Sequence, residues 1–321
     1  MNAVININKP AHITSQQAVK KAKRLLGAKK AGHAGTLDPI ATGVLLVCLN
    51  EATKITRFLS DLDKEYVVQL KLGEKTDTYD STGRILETRE CRPLPEKDIE
   101  EVLGSFTGSV QQTPPMYSAV KIGGRPLYKL ARRGITVERA ERIVQIFRAE
   151  LLSYSHPYVR ARVRCSKGTY IRSLCDDIGD ALGTGAHMTQ LVRTGVGNFR
   201  VEDGILLTDL PAKKDEFHPV DHALSHLREI VLDHDSWQKA KNGLPVNIPA
   251  VSPMDFLRGP NDGMSGASFG ECEYVRMKSP DRVLVGIGAL GGGTLRVERL
   301  FNTNTPDTGQ KIVYQEKMHL L

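Results

Sequence analysis

Apolar and polar positions along this chain fall into short strand-like and helix-like runs. Residues Val4-Ile5-Asn6-Ile7-Asn8-Lys9 alternate as a strand and are stopped by Pro10. Thr14-Ser15-Gln16-Gln17 has the spacing of a capping box. The helix behind it sets Ala18, Ala22, Leu25 and Leu26 on one face and ends at Gly27. Val44 to Leu49 are continuously apolar, as in a buried strand, and residues 66–73 alternate as a second. A helix is expected over residues 96–107, with Ile99, Val102, Leu103 and Phe106 inward. Val159, Ala161, Val163 and Cys165 alternate with Arg160, Arg162 and Arg164, giving a strand with one apolar and one basic face. Ile171, Leu174, Cys175, Ile178 and Leu182 then recur at helical spacing. From about Val231 the character changes to a short helix, a Gly/Pro-rich stretch at 249–270, and strands at 274–277 and 283–288, followed by a polar tail from about Asn304.

A chain of 321 residues with this change of character suggests two domains. Its apolar and charged fractions, 40% and 25%, are those of an ordinary soluble protein, and its net charge of +7 favours a polyanionic partner. The five cysteines (Cys48, Cys91, Cys165, Cys175, Cys272) form no Cys-x-x-Cys pair, which argues against a zinc site and a disulfide framework. Free thiols fit a reducing cytoplasm. The first residues lack the basic start and apolar core of a signal peptide, and no apolar run reaches membrane-spanning length. A soluble cytoplasmic protein is expected.

The densest candidate chemistry lies in residues 32–43, where three glycines, two threonines and Pro39 predict a tight loop rather than a helix or strand. Asp38 is its one acid, and Pro39 biases Asp38 towards an extended backbone. No Gly-Lys-Ser/Thr closes the loop, so it is not a phosphate loop; a plain Asp-Pro turn is the alternative reading. Lys20, Lys21, Lys23 and Arg24 form the outer face of the preceding helix, either a solvated surface or a phosphate-contacting ridge. Residues 112–134 combine prolines, glycines, Lys121, Arg125, Arg132 and Arg133 with Tyr117 and Tyr128, a pattern suited to unpaired RNA or simply an exposed basic excursion. Arg172, near a helix start, is disfavoured by the helix dipole and hints at an anionic partner.

His33-Ala34-Gly35-Thr36-Leu37-Asp38-Pro39-Ile40-Ala41-Thr42-Gly43-Val44-Leu45 resembles the central motif of the TruB-type tRNA pseudouridine synthases. Lys64-Glu65-Tyr66, residues 75–83, residues 165–174 and Thr189 to Gly195 are similar to further family motifs in the same order. The resemblance implies an α+β fold: a mixed, mostly antiparallel sheet flanked by helices, over residues 1–230, with an RNA-clamping insertion at about 112–148. A small β-rich PUA-like domain at 231–303 and a tail at 304–321 would follow. It implies that the T-loop uridine of tRNA, position 55, is flipped out, cleaved from its sugar and rejoined through C5. In that scheme Asp38 is the catalytic carboxylate, Tyr66 stacks on the base, and Arg172 pairs with Asp38. Asp80 joins the charge network and Leu191 gives an apolar contact. His33, Lys20, Lys21, Lys121 and Arg132 would contact the RNA. Whether Asp38 attacks the sugar or forms a glycal stays open. The resemblance implies no metal and no cofactor. The partner is the T-arm of tRNA; a monomer is expected, with no obligate protein partner and no membrane. A non-catalytic RNA chaperone and a guide-dependent ribosomal RNA synthase are the competing readings.

Overall fold

Residue alternation organises the architecture of the computed structural model, which describes residues 1–118, 120–131, 133–248 and 272–301. Among these, ten strands form one sheet: β1 (Ala3–Lys9), β2 (Ala31–Ala34), β3 (Thr42–Leu49), β4 (Lys64–Leu72), and β7 (Gly108–Gln112), β10 (Arg142–Ser155), β11 (Tyr158–Cys165), β12 (Ala186–Val196), β13 (Phe199–Arg200) and β14 (His218–Pro219). Between them lie two small hairpins, β5 (Glu74–Thr76) with β6 (Ile85–Thr88), and β8 (Lys121–Ile122) with β9 (Arg125–Pro126). The long sheet runs β14-β1-β3-β12-β4-β11-β10-β7, with β2 on β3 and β13 on β12. Its β3–β12 pairing is parallel and the others are antiparallel, which is the mixed sheet expected.

Helices cover the sheet where its residues are apolar. β4 alternates buried and half-buried positions, and Tyr66, Val68, Leu70 and Leu72 face α3 (Glu96–Ser105) and α5 (Ile171–Ala181) in one core. β3 is almost wholly buried because both its faces are covered. Leu45 and Val47 meet α1 (Ser15–Leu25), whereas Val44, Leu46 and Cys48 meet α2 (Thr56–Ser60). The α1 capping box forms as expected: Thr14 Oγ1 accepts from Gln17 N at 3.1 Å and Gln17 Oε1 from Thr14 N at 2.7 Å.

Four expectations are corrected. The buried apolar face of α1 is Ala18, Val19 and Ala22, and Leu25, the last residue of the helix, is left 37% exposed. The ends of the 32–43 loop are strands: β2 pairs with β3 from Ala31↔Leu49 to Ala34↔Leu46, and this ladder overrides the turn preference of its small residues. The stretch from Arg142, assigned to the insertion, enters the central sheet as β10. The second sheet starts at Arg228, just before the expected boundary at 231.

That second sheet has the order β15-β17-β18-β19-β16 among the described residues, with β15 (Arg228–Val231), β16 (Val246–Asn247), β17 (Glu273–Lys278), β18 (Leu284–Gly291) and β19 (Thr294–Leu300). Two short helices, α4 (Leu127–Ala131) and α6 (Val220–Ala223), precede it, and α7 (His234–Lys241) packs on it. The sheet docks on the large unit through α2. Phe58 and Tyr274 meet edge-on at 5.1 Å, and Arg57 lies over both rings and bonds Glu298 at 2.9 Å. The 249–270 stretch, the tail from 304 and Arg132 lie outside the described residues, as does the side chain of Lys121.

Gly43 marks a tight crossing of β3 and β12. Its φ is +102°, and a Cβ there would stand 2.2 Å from the Arg193 carbonyl oxygen. Gly43→Ala should therefore lower stability by more than about 2 kcal/mol in urea unfolding. Gly27→Ala, with φ of +61° but open space, should cost about 1 kcal/mol.

Candidate active site

Residues 35–41, the turn between β2 and β3, carry Asp38, and buried side chains hold them from several sides. Ser15 Oγ, in the first turn of α1, accepts from Leu37 N at 2.8 Å and donates to Leu37 O at 2.9 Å. Lys9 Nζ, at the end of β1, donates to the carbonyls of Pro10, Ile13 and Pro39 at 2.8, 2.9 and 3.4 Å. Arg193 on β12 donates to Gly35 O at 3.2 Å, Thr36 O at 3.3 Å and Val44 O at 2.7 Å, so its guanidinium clips both arms of the turn together.

Asp38 itself is about 30% exposed and meets Arg172 in a two-pronged pair, Nε to Oδ2 at 2.9 Å and Nη2 to Oδ1 at 3.0 Å. Arg172 is buried near the start of α5, where the helix dipole disfavours a cation. Its remaining donors reach Thr78 O at 3.2 Å and Tyr117 O at 2.9 Å, and the Asp80 carboxylate stands 3.6 Å away. Asp80 is oriented by Thr78 Oγ1 and Thr82 N, each at 2.9 Å from Oδ1. Tyr66 and Leu191 lie on adjacent strands, opposite Arg193 and Val68 respectively, and share a core with Leu37 and Ala41 of the Asp38 turn.

The structure thus brings Asp38, Arg172, Asp80, Tyr66 and Leu191 together. His33 is on β2, its Nδ1 buried without a hydrogen-bond partner among the described residues. Burial first, and then the Arg193 charge, push its pKa down. Lys20 and Lys21 are exposed on α1, one to two turns beyond the end that touches Leu37, so they flank the Asp38 turn rather than touch it.

Three buried cations around the turn were not singled out from the sequence: Lys9, Lys64 and Arg193. Each continues the apolar face of a strand, Lys9 after Ile5 and Ile7, Lys64 before Tyr66 and Val68, and Arg193 after Leu191. A cation in phase with buried residues was the available signal. Burial pulls Lys9 and Lys64 down to about 8, with the Arg193 charge adding to the shift in both. Burial pushes the Tyr66 phenol up, so it stays neutral at pH 7. Among the described residues no three His, Cys, Asp or Glu side chains gather as a metal site, and no helix is long and apolar enough to cross a membrane.

Comparison with known proteins matches the TruB family pseudouridylate synthase N-terminal domain over residues 23–171. A tRNA pseudouridylate synthase B C-terminal domain matches residues 172–237. A tRNA pseudouridine synthase B of Aliivibrio fischeri is 42% identical over 299 residues, covering 90% of each chain. This chain belongs to the TruB family. The corresponding protein of Clostridium tetani is 48% identical over 264 residues, 80% of this chain and 91% of that one. Among solved structures, a Cbf5-Nop10-Gar1 complex contains a chain superposing with a TM-score of 0.70 at 29% identity, covering 94% of this chain and 85% of that one. In this family member the strand-end cations are the part of the site that the motifs alone did not expose.

Arg193→Met should cost about 3 kcal/mol or more in urea unfolding, because three carbonyls lose their donor. A Lys20→Ala/Lys21→Ala double variant, confined to an exposed helix face, should shift stability by less than about 0.5 kcal/mol in the same measurement.

Proposed function

We propose that this chain is an isomerase that converts the T-loop uridine of tRNA, position 55, to pseudouridine. The carrying observation is the two-pronged Asp38–Arg172 pair on a turn whose Leu37 and Ala41 share a core with Tyr66 and Leu191. The tRNA substrate is supported by the names of the relatives that are 42–48% identical over most of this chain.

A uridine stacked in a folded loop must leave its stack to reach Asp38, at a cost of a few kcal/mol. Tyr66 and Leu191 offer the flipped ring two apolar faces, and the neutral Tyr66 phenol leaves Asp38 as the anionic group beside it. Arg172 keeps both carboxylate oxygens of Asp38 oriented. The C1′–N1 bond breaks with its electron pair on uracil, while Asp38 either bonds to C1′ or takes the C2′ proton. Uracil turns and C5 bonds to C1′, breaking the Asp38–C1′ bond with its electron pair returning to the carboxylate on the first route, or with Asp38 giving the proton back to C2′ on the second. The C5 proton is then lost as N1 gains one. Atoms and electrons balance without oxidant or cofactor.

Asp80 steadies Arg172 from its far side. His33, Lys20 and Lys21, with Lys121 and Arg132 of the insertion, hold RNA phosphates around the site. The C-terminal sheet acts as the PUA-like RNA-binding module, the protein works as a monomer on the T-arm, and its free thiols fit a cytoplasmic location. A guide-dependent synthase is the second reading, favoured by the 0.70 TM-score to the Cbf5-Nop10-Gar1 structure, but the higher identity to tRNA enzymes outweighs it.

Purified protein, incubated with unmodified tRNA transcript and no added cofactor, should yield a single carbodiimide-dependent reverse-transcription stop at the T-loop uridine. Asp38→Asn should abolish the stop while tRNA affinity stays within about threefold. Arg172→Lys, which keeps the charge but loses the fork, should slow turnover by about 100-fold. Tight binding by the wild-type chain without a stop would overturn the proposal.

A further inference from the structure

Among the described residues, four other than glycine adopt a left-handed backbone: His12 at φ 65°, Asn50 at 49°, Tyr79 at 62° and Arg282 at 60°. Two of them have local reasons. Asn50 tolerates this region, and its side-chain oxygen accepts from Lys29 N at 2.9 Å and Lys30 N at 3.0 Å. Arg282 closes the turn between β17 and β18, its N bonded to Ser279 O at 2.8 Å.

His12 has no such local bond and Tyr79 only a turn bond from its N to Thr76 O at 3.3 Å; His12 abuts the Asp38 turn, and Tyr79 follows a residue that bonds Arg172, the partner of Asp38. His12 N donates to Pro39 O at 2.7 Å, beside Asp38 in the chain. The peptide carbonyl preceding Tyr79, that of Thr78, accepts from Arg172 at 3.2 Å, and Arg172 holds the Asp38 carboxylate. The backbone around Tyr79 is held in place by Met188 N on its carbonyl at 3.0 Å and Ser81 N on Met188 O at 2.8 Å. Neither side chain makes a hydrogen bond, ion pair or ring contact among the described residues; His12 is exposed and Tyr79 half-buried. Glycine would suit both backbones better, so neither backbone conformation accounts for an aromatic residue there. A bulky aromatic in this region is an outlier of the kind that collects at functional sites.

We propose that His12 and Tyr79 are RNA-contacting residues, whose rings stack on unpaired bases flanking the target nucleotide beside the Asp38–Arg172 pair. Unpaired bases in an RNA loop are held by stacking on His and Tyr rings. Two rings, one anchored on the Asp38 turn and one beside Arg172, would grip the loop around the nucleotide being extruded. The proposal rests on the reading of this site as one that modifies a tRNA loop, and adds residues that determine how tightly the loop is held.

The test pairs stability with affinity. His12→Gly and Tyr79→Gly remove ring and strain together; His12→Asn and Tyr79→Asn remove the ring but keep a residue that tolerates the left-handed region. Each is made in the full chain, with and without Asp38→Asn. All four should melt no lower than their parent. Each should weaken binding of unmodified tRNA transcript about tenfold by filter binding, and raise KM similarly with kcat nearly unchanged. Tyr79→Phe, which keeps the stacking face, should bind like the parent. Variants that bind as tightly as the parent would overturn the proposal, as would a fall in melting temperature that accounts for the lost affinity. A parent chain that binds tRNA without modifying it overturns the isomerase reading instead, and the affinity comparison still reads out.

Discussion

The pairing of Asp38 with Arg172 is the interaction around which the rest of the structure is arranged. At an effective dielectric near 20, charges 2.9 Å apart attract by about 6 kcal/mol. Removing two ions from water costs several kcal/mol each, so the pair contributes little net stability by itself. What it supplies is direction. A forked guanidinium fixes both oxygens of the carboxylate, and the carbonyls of Thr78 and Tyr117 fix the guanidinium in turn. Three separate segments, the Asp38 turn, the loop before β6 and the start of the insertion, therefore meet on one arginine. The cost of placing that cation at the start of α5 is offset by Asp38 and Asp80.

Around this pair the protein buries more positive charge than it neutralises with nearby carboxylates. Lys9 and Lys64 are satisfied by carbonyl oxygens, Lys64 by those of Ser60 and Leu62 at 2.5 and 2.6 Å. Their lowered pKa values, about 8, show the penalty that remains after those bonds are made. Arg193 is satisfied by the carbonyl oxygens of Gly35, Thr36 and Val44. The resulting field is fixed in place before any ligand arrives, which is the arrangement that stabilises negative charge without reorganisation. The tight crossing at Gly43 follows from the same clip, since β12 must approach β3 closely for Arg193 to span the turn.

Much of this was legible in the amino-acid pattern. Alternation along β4 and β11 located the central strands and the face carrying Tyr66, and the turn formers around Asp38 located the site. The misreadings share a cause: a local preference yielding to a long-range partner. Ala31-Gly32-His33-Ala34 has few strand formers, yet its backbone pairs with β3 across the turn. Val19 rather than Leu25 is buried on α1, Leu25 being the last residue of the helix. Arg193 stayed hidden for a different reason. An arginine in a strand reads as a solvated residue until the turn that needs its donors is seen folded over it.

The fold also explains how a small second sheet can be positioned relative to a turn far away in the chain. β3 is the common strand. On one face it carries α1, whose first residue Ser15 grips Leu37 and whose outer face carries Lys20 and Lys21. On the other it carries α2, whose Arg57 and Phe58 dock Tyr274 and Glu298 of the second sheet. The edge-on ring contact and the Arg57 stack over both rings bury the seam with aromatic surface, a geometry that resists sliding better than a layer of small side chains. The basic helix, the Asp38 turn and the C-terminal sheet are then fixed to opposite faces and one end of a single buried strand. A shift in any of them would have to break the packing of β3, and close-packed interiors yield in discrete steps rather than by continuous deformation. The spacing between the chemistry and both flanking surfaces is therefore set by the core, before any RNA is bound.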